Sequence, residues 1–398
     1  ADSAAAASAG TAAGGRGSAY AASMSDSWSR GSVNSWGSGG QVSAEEGDSA
    51  KKQAEGKGAP TAKPPVASRQ WDTLQRWVEM SRQKLLALDL DVIVFSEIGM
   101  DFPTYILAHS RLARVQMMAW GHPTTSGIST GSMDYFITHG AAEKYVDSER
   151  AQSLFTEQLV ALGADADREF RLPICDVEKG ISGVNGKSYV GIDRKVFNVK
   201  AKDRVYAMMQ STFKPHPDFD AVLAKICKLD PKAVIVLMSP SHGAGASEAL
   251  SGRLQAAGVP SRRLRWQPYL SHNELLGLLK TADVALDPFY FGGDGTTREA
   301  IEMGVPVVTY PHDALGSRWT AAMYDLMGID TARGWPTVPV LAQADKEKYA
   351  EVAVAVAKDT DGHATVLRGL LKERKHLLFR RDDAIANWED MLQRVAFE

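Results

Sequence analysis

Cysteine is nearly absent from this chain of 398 residues. Only Cys175 and Cys227 occur, with no metal-ligand spacing, which excludes a disulfide framework and a structural zinc site and fits a reducing compartment. Long apolar runs are missing too, and none approaches the ~20 residues of a membrane span. Nor is there an excess of basic charge. The 45 Lys and Arg against 48 Asp and Glu give a net charge of −3, which argues against a nucleic-acid partner. No GK[ST] follows a glycine loop, and no GxGxxG follows a first strand, which disfavours a kinase-like ATPase and a dinucleotide oxidoreductase. A repeat of solenoid length is also lacking.

What remains is a chain that is 44% hydrophobic, enough for a sizeable core over most of its length. Residues 1–68 are the exception. Ala, Gly and Ser dominate, ending in KKQAEGKGAPTAKPP, and such a segment buries too little apolar surface to offset its ordering entropy. We read it as a disordered tail. Its few early acids, with Arg16 and Arg30, also suit an organellar transit peptide; otherwise a cytoplasmic or nuclear location is expected. The DLD of Asp89 to Asp91 has the spelling of a metal-binding motif, but it precedes a strand and reads as a helix end.

From Gln70 a helical pattern leads to DVIVF (Asp91 to Phe95), a buried strand. YILAHSRLA then reads as a helix, and VQMMAW and DYFIT as strands. Residues 163–200 are polar and read as a connector. The second half alternates more regularly: strands at RVYAMMQ, AVIVLM, RLRWQ, ADVALD and PVVTY, with helices between them. Phe219, Val222, Leu223, Ile226 and Cys227 share one face of the first of these helices. Strict β/α alternation with apolar strands predicts an α/β fold with a parallel sheet covered on both faces. From Lys346 the pattern is helical to the end. The expected units are a tail at 1–68, a first lobe and connector at 69–200, a second lobe at 201–342 and C-terminal helices at 343–398.

Right-handed crossovers put the strand C-termini on one edge, where ligands bind. Three segments meet there. QSTFKPHPDFD carries Lys214 in a strand-to-helix loop, where an ammonium reaches a phosphate. QPYLSHNE opens a helix at Ser271, with Glu274 three residues on as a capping box. FGGDGTTREA sets Gly293 and Gly295 ahead of Thr296, Thr297 and Glu299. Glycines let backbone approach an anion, the helix start supplies N–H donors, and a first-turn carboxylate suits ribose hydroxyls. Singly, each is an ordinary loop, cap or turn. Together they fit a sugar nucleotide, with its diphosphate on Lys214 and the helix start and its ribose on Glu299.

At these residues the chain resembles the O-GlcNAc transferase and SPINDLY family, glycosyltransferase family 41. The matching stretches are QSTFKPHPDFD, GTTREAIEMGVPVVT, EIGMDFPTYILAHSRLARVQMMAWGHPTTSG with MDYFIT after it, and ALGSR (Ala314 to Arg318). The resemblance implies a GT-B-like fold of two Rossmann-like lobes, the first incomplete here. It implies an inverting, metal-independent transfer with no cofactor beyond the donor. That donor is expected to be UDP-GlcNAc or another nucleotide sugar, with Ser or Thr hydroxyls of proteins as acceptors. Lys214 is expected on the diphosphate, Thr296 and Thr297 on the phosphates, Gln210 near the uridine or phosphate, and the Leu270 backbone on the base. His122, with Pro123 and Thr124, is expected to line the cleft from the first lobe. Glu97 and Asp101 are the candidate catalytic carboxylates. Gly295, with Asp294 before it, stands where animal members carry a His, and His272 stands where the family has a second lysine. The family's first lobe begins with βα units and helical repeats that this sequence does not show. The rival reading is therefore a non-catalytic nucleotide-sugar-binding or scaffold protein.

Overall fold

In the computed structural model, residues 66–96, 98–162, 194–239, 245–378 and 382–397 are described. The tail up to residue 65, most of the 163–200 connector and Glu97 lie outside them. Two parallel sheets organise the chain. The first runs in simple order through β1 (Val92–Phe95), β2 (Val115–Ala119), β3 (Tyr135–His139) and β4 (Gln158–Leu162). The second holds β5 (Arg204–Met208), β6 (Ala233–Met238), β7 (Leu264–Gln267), β8 (Val284–Leu286) and β9 (Val307–Val308), in the spatial order β7-β6-β5-β8-β9. This is the expected α/β, parallel-sheet architecture.

The second order has a direct consequence for the site. The chain winds outward from β5 through β6 to β7, then returns to the other side of β5 for β8 and β9. The order therefore reverses between β5 and β8, and the crevice beyond their C-terminal ends is the place such sheets offer a ligand. Tyr206 pairs with Val284 and Ala207 with Ala285 across this junction. The strands are apolar because both faces are covered. Val205 to Met208 and Ala233 to Leu237 are buried. One side packs on helices Asp220–Leu229 and Tyr349–Lys358, where Phe219, Phe289 and Tyr349 meet edge to face.

Three features differ from the sequence reading. The helix read as YILAHSRLA is Phe102–Ala108 and stops there. Arg111 beyond it turns away to pair with Asp134 at 2.5 Å, across to the start of β3. The strand β4 was not expected. QLVAL is a short apolar run beside the polar connector, where no β/α alternation frames it and apolarity alone does not assign a type. The first helix begins at Val66, slightly inside the low-complexity boundary. No helix among the described residues is long and apolar enough to cross a membrane.

Contacts between the lobes are specific. Arg318 is fully buried and donates to Glu143 Oε2 at 2.8 Å and to the Ala142 carbonyl at 3.2 Å. Arg150 pairs with Asp313 at 2.8 Å, and Tyr145 Oη meets Thr331 Oγ1 at 2.9 Å. The C-terminal helix Asp382–Phe397 returns to the first lobe, where Trp388 packs on Trp120, ring centres 5.7 Å apart. Local devices place the second lobe's loops. Gly258 ends its helix at φ +101°, a conformation that side-chained residues rarely adopt. The helix His272–Lys280 starts in a complete capping box. Ser271 accepts from the Glu274 N–H, and the Ser271 N–H donates to Glu274 Oε2 at 2.8 Å. Ser271→Ala is expected to lower stability by about 1 kcal/mol, read as a shifted denaturation midpoint. An unchanged midpoint would count against that cap.

Candidate functional site

Gln210 follows β5 and Asp287 follows β8, so the two flank the switch point. Lys214, four residues beyond Gln210, folds back into the crevice. Its Nζ donates to the Gly292 carbonyl at 2.9 Å and to Gln210 Oε1 at 3.3 Å, and sits 4.6 Å from the centre of the Phe291 ring. An ammonium has three N–H donors. Two are engaged, and the third has no hydrogen-bond acceptor among the described residues. Gln210 Nε2 in turn donates to Thr296 Oγ1 at 2.8 Å. Lys214, Gln210, Thr296 and the Gly292–Gly293 backbone therefore form one connected network, although they come from two separate segments, one after β5 and one after β8.

Asp287 holds the glycine loop in shape. It accepts from the Gly293 N–H at 2.7 Å and from the Thr309 and Thr320 hydroxyls, each at 2.8 Å. Thr320 also touches Thr297, Oγ1 to Oγ1 at 3.3 Å. Full burial pushes the Asp287 carboxyl up to about 6, against the pull of these donors and of Lys214. Burial likewise raises the pKa of Asp294, whose Oδ1 has no hydrogen-bond partner among the described residues. Burial lowers the pKa of Lys214, and the nearby Asp287 and Asp294 oppose that.

Gly292 and Gly293 leave no room for a side chain as the loop stands. A Cβ on Gly293 would collide with Gln210 and stand 2.7 Å from both Thr296 Oγ1 and Thr297 Oγ1. One on Gly292 would run into Asp287, whereas one on Gly295 would meet only Arg298, at 3.9 Å. The helix Gly295–Glu302 thus opens directly onto the crevice, with its first-turn N–H groups beyond the glycines. Gly293→Ala is expected to abolish UDP binding at millimolar nucleotide while the protein still unfolds cooperatively. Binding at the wild-type affinity would show that the loop need not be this tight.

The other candidates are distributed as follows. Glu299 is mostly buried and paired with His272, Nδ1 to Oε1 at 3.3 Å, so these two are neighbours rather than separate contacts. Burial pushes the Glu299 carboxyl up, and the His272 and Arg298 charges pull it down. Leu270 packs against the main core at the entry to the same helix. From the first lobe, His122 comes within 5.7 Å of the Phe291 ring, and its Nδ1 is 2.8 Å from Thr124 Oγ1. Burial and the charge on Lys214 lower its pKa, which favours the uncharged imidazole. Pro123 lies against Gly316, 3.1 Å from where a Cβ would stand, which closes the two lobes onto each other. Asp101 is engaged elsewhere. It caps the helix Phe102–Ala108, accepting from Thr104. Glu97 lies outside the described residues.

The sequence reading missed Asp287, Phe291, Thr309 and Thr320. Only Asp287 carried a usable signal, an acid at the C-terminal end of a buried strand just ahead of the glycines. The threonines reach the site from β9 and the helix Trp319–Leu326 only through the fold.

Two parallel-sheet lobes facing each other over a lysine, a glutamine and an open helix start define a GT-B-like protein. The chain belongs to glycosyl transferase family 41, whose model matches residues 178–381, just over half of it. Its fold is similar to that of a mutant of Thermobaculum terrenum O-GlcNAc transferase, at 22% identity over 80% of this chain with a TM-score of 0.61. The chain spans 55% of that protein's length. Sucrose-phosphate synthase from Thermosynechococcus elongatus is a more distant likeness, at 13% identity, TM-score 0.52, covering 85% of this chain and 81% of that one.

Proposed function

We propose that this chain binds a nucleotide sugar at the β5/β8 switch point and transfers the sugar, with GlcNAc from UDP-GlcNAc favoured, to Ser or Thr hydroxyls of proteins. The observation that carries the reading is the Lys214–Gln210–Thr296 network at the open start of the helix Gly295–Glu302. Family membership and the GT-B-like fold support it.

In the proposed reaction the acceptor oxygen attacks the anomeric carbon in line with the departing diphosphate. The carbon–oxygen bond to the diphosphate breaks, and the electron pair stays on the nucleotide. Lys214 and the first-turn N–H groups at Thr296 and Thr297 take up that charge, with no metal needed for it. Glu299 holds the ribose once His272 yields it, and the Leu270 backbone faces the base. His122, across from Phe291, borders the acceptor side with Pro123 and Thr124. Glu97 and Asp101 are the carboxylates proposed for the hydroxyl proton, and Asp101 would first have to leave its cap.

Titration against a panel of UDP- and GDP-sugars, with donor hydrolysis followed in parallel, tests this. Micromolar to millimolar UDP binding with turnover supports the transferase. Binding without turnover on any acceptor would favour the non-catalytic reading. No binding of any nucleotide sugar would overturn both.

A further inference from the structure

The opposite edge of the second sheet carries a hollow with a different character. It lies where β5, β6 and β7 begin, lined by Lys200, Lys202, Lys232, Arg262, Arg263 and Arg265, with Asp203, Pro231 and Val234 completing the wall. Its volume is about 500 Å³. Six cations thus face one acid, in a chain whose net charge is −3. None of the six forms an ion pair among the described residues.

The larger hollow of about 630 Å³, between Tyr145 and Trp335, is unlike it. There every cation is matched: Lys144 with Asp325, Arg333 with Asp330 and Lys348 with Asp345. Such pairing neutralises a surface. Its absence in the basic hollow leaves a concentrated positive field.

The cations are also partly preorganised. Arg263 donates to the Ala233 carbonyl at 2.9 Å. Arg265 donates to the carbonyls of Asn198 at 2.9 Å, Arg262 at 2.6 Å and Leu264 at 3.0 Å. Backbone carbonyls hold these guanidinium groups in place without cancelling their charge. Asp203 is occupied in part, its Oδ2 accepting from the Lys200 N–H at 3.0 Å. Lys200, Lys202, Lys232 and Arg262 are exposed and free to close on a ligand.

We propose that this hollow is a second anion site, which takes a small molecule bearing several phosphate groups. Its volume suits a compact ligand. No aromatic side chain lines it, so base stacking, which single-stranded nucleic acid needs, has no platform. The site is distinct from the donor crevice. It lies at the strand N-termini, whereas Gln210 and Asp287 lie past the C-termini, and β5 alone spans roughly 16 Å at its usual rise.

The test is calorimetric titration of the whole chain with inorganic tripolyphosphate and with inositol hexakisphosphate, in 0.1 M salt and with saturating UDP present. Binding is expected to persist under UDP, to weaken as salt rises, and to fall at least tenfold in Arg262→Glu and in Lys232→Glu. Both side chains are exposed, and circular dichroism confirms that the variants fold. Neutral Arg262→Gln should show a smaller loss in the same direction. UDP binding itself should be unchanged in all three, and Lys214→Ala should leave the polyphosphate affinity intact. No binding of either probe would overturn the proposal. So would binding insensitive to Arg262 and Lys232, or binding lost with Lys214 or under UDP, which would place the probe in the donor crevice.

Discussion

Lys214→Ala is expected to lower turnover by about 10²–10³-fold, the usual loss when one preorganised charge-stabilising donor is removed. The reason is where Lys214 stands. Its amine is fixed by Gln210 and the Gly292 carbonyl, and it carries the positive charge beside the open helix start. Nothing else in the network supplies a cation there. Gln210 contributes only a neutral amide, and Arg298 is turned back to Asp294 at 3.3 Å. Lys214→Arg should recover little, because a planar guanidinium does not fit the two oxygens that hold the ammonium. Folding should be nearly unaffected, since burial already lowers the Lys214 pKa and the lysine contributes little to the native state. Steady-state rates with circular dichroism on the same samples check both halves. Turnover within a factor of two of wild type would remove Lys214 from the reaction.

Asp287→Ala should act on the fold as well as on the site. It strands three buried donors at once: the Gly293 N–H and the Thr309 and Thr320 hydroxyls. At about 1–3 kcal/mol for each stranded group, offset by relief of the buried charge, a net loss of about 3 kcal/mol is expected. Asp287→Asn should be milder. Its carbonyl can face Gly293, and its amide can donate to the two threonine hydroxyls, which rotate to accept. The pH dependence separates the two effects. The folded Asp287 keeps its proton up to about pH 6, whereas an ordinary aspartate loses it near pH 3.8. In that window the native state binds more protons than the unfolded chain, so this group's contribution to stability falls as pH rises from about 4 to about 6. The fall is on the order of 3 kcal/mol at most. Denaturant midpoints for wild type and Asp287→Asn between pH 4 and 8 should therefore converge as pH rises. A constant difference across that range would mean that Asp287 is ionised throughout.

Much of the second lobe was legible because its strands are apolar and alternate regularly with helices. AVIVLM, ADVALD and the capped helix at Ser271 announce their own type. The lysine loop and the glycine-threonine helix start were legible as a pair, since alternation alone sends both to the same sheet edge. Three things were not. The strand β4 follows the short helix Ser148–Gln152 and runs into the polar connector, so no regular alternation frames it. The pairing of His272 with Glu299 joins two helix starts 27 residues apart, and no local pattern encodes that distance. Thr320 reaches Asp287 only because the helix Trp319–Leu326 docks beneath β9, where Tyr324 Oη accepts from the Val307 N–H at 2.8 Å. Asp101 shows the converse. A carboxylate just past β1 looked available for chemistry and is engaged in a helix cap.

The central claim is that a lysine from the loop after β5 and the helix start after β8 grip one pyrophosphate together. A crystal structure of the chain soaked with UDP tests it most directly. The account predicts the terminal phosphate oxygens within about 2.7–3.2 Å of Lys214 Nζ and of the backbone or hydroxyl groups of Thr296 or Thr297. UDP seated with its phosphates on only one of these two loops, or outside the β5/β8 crevice altogether, would contradict it.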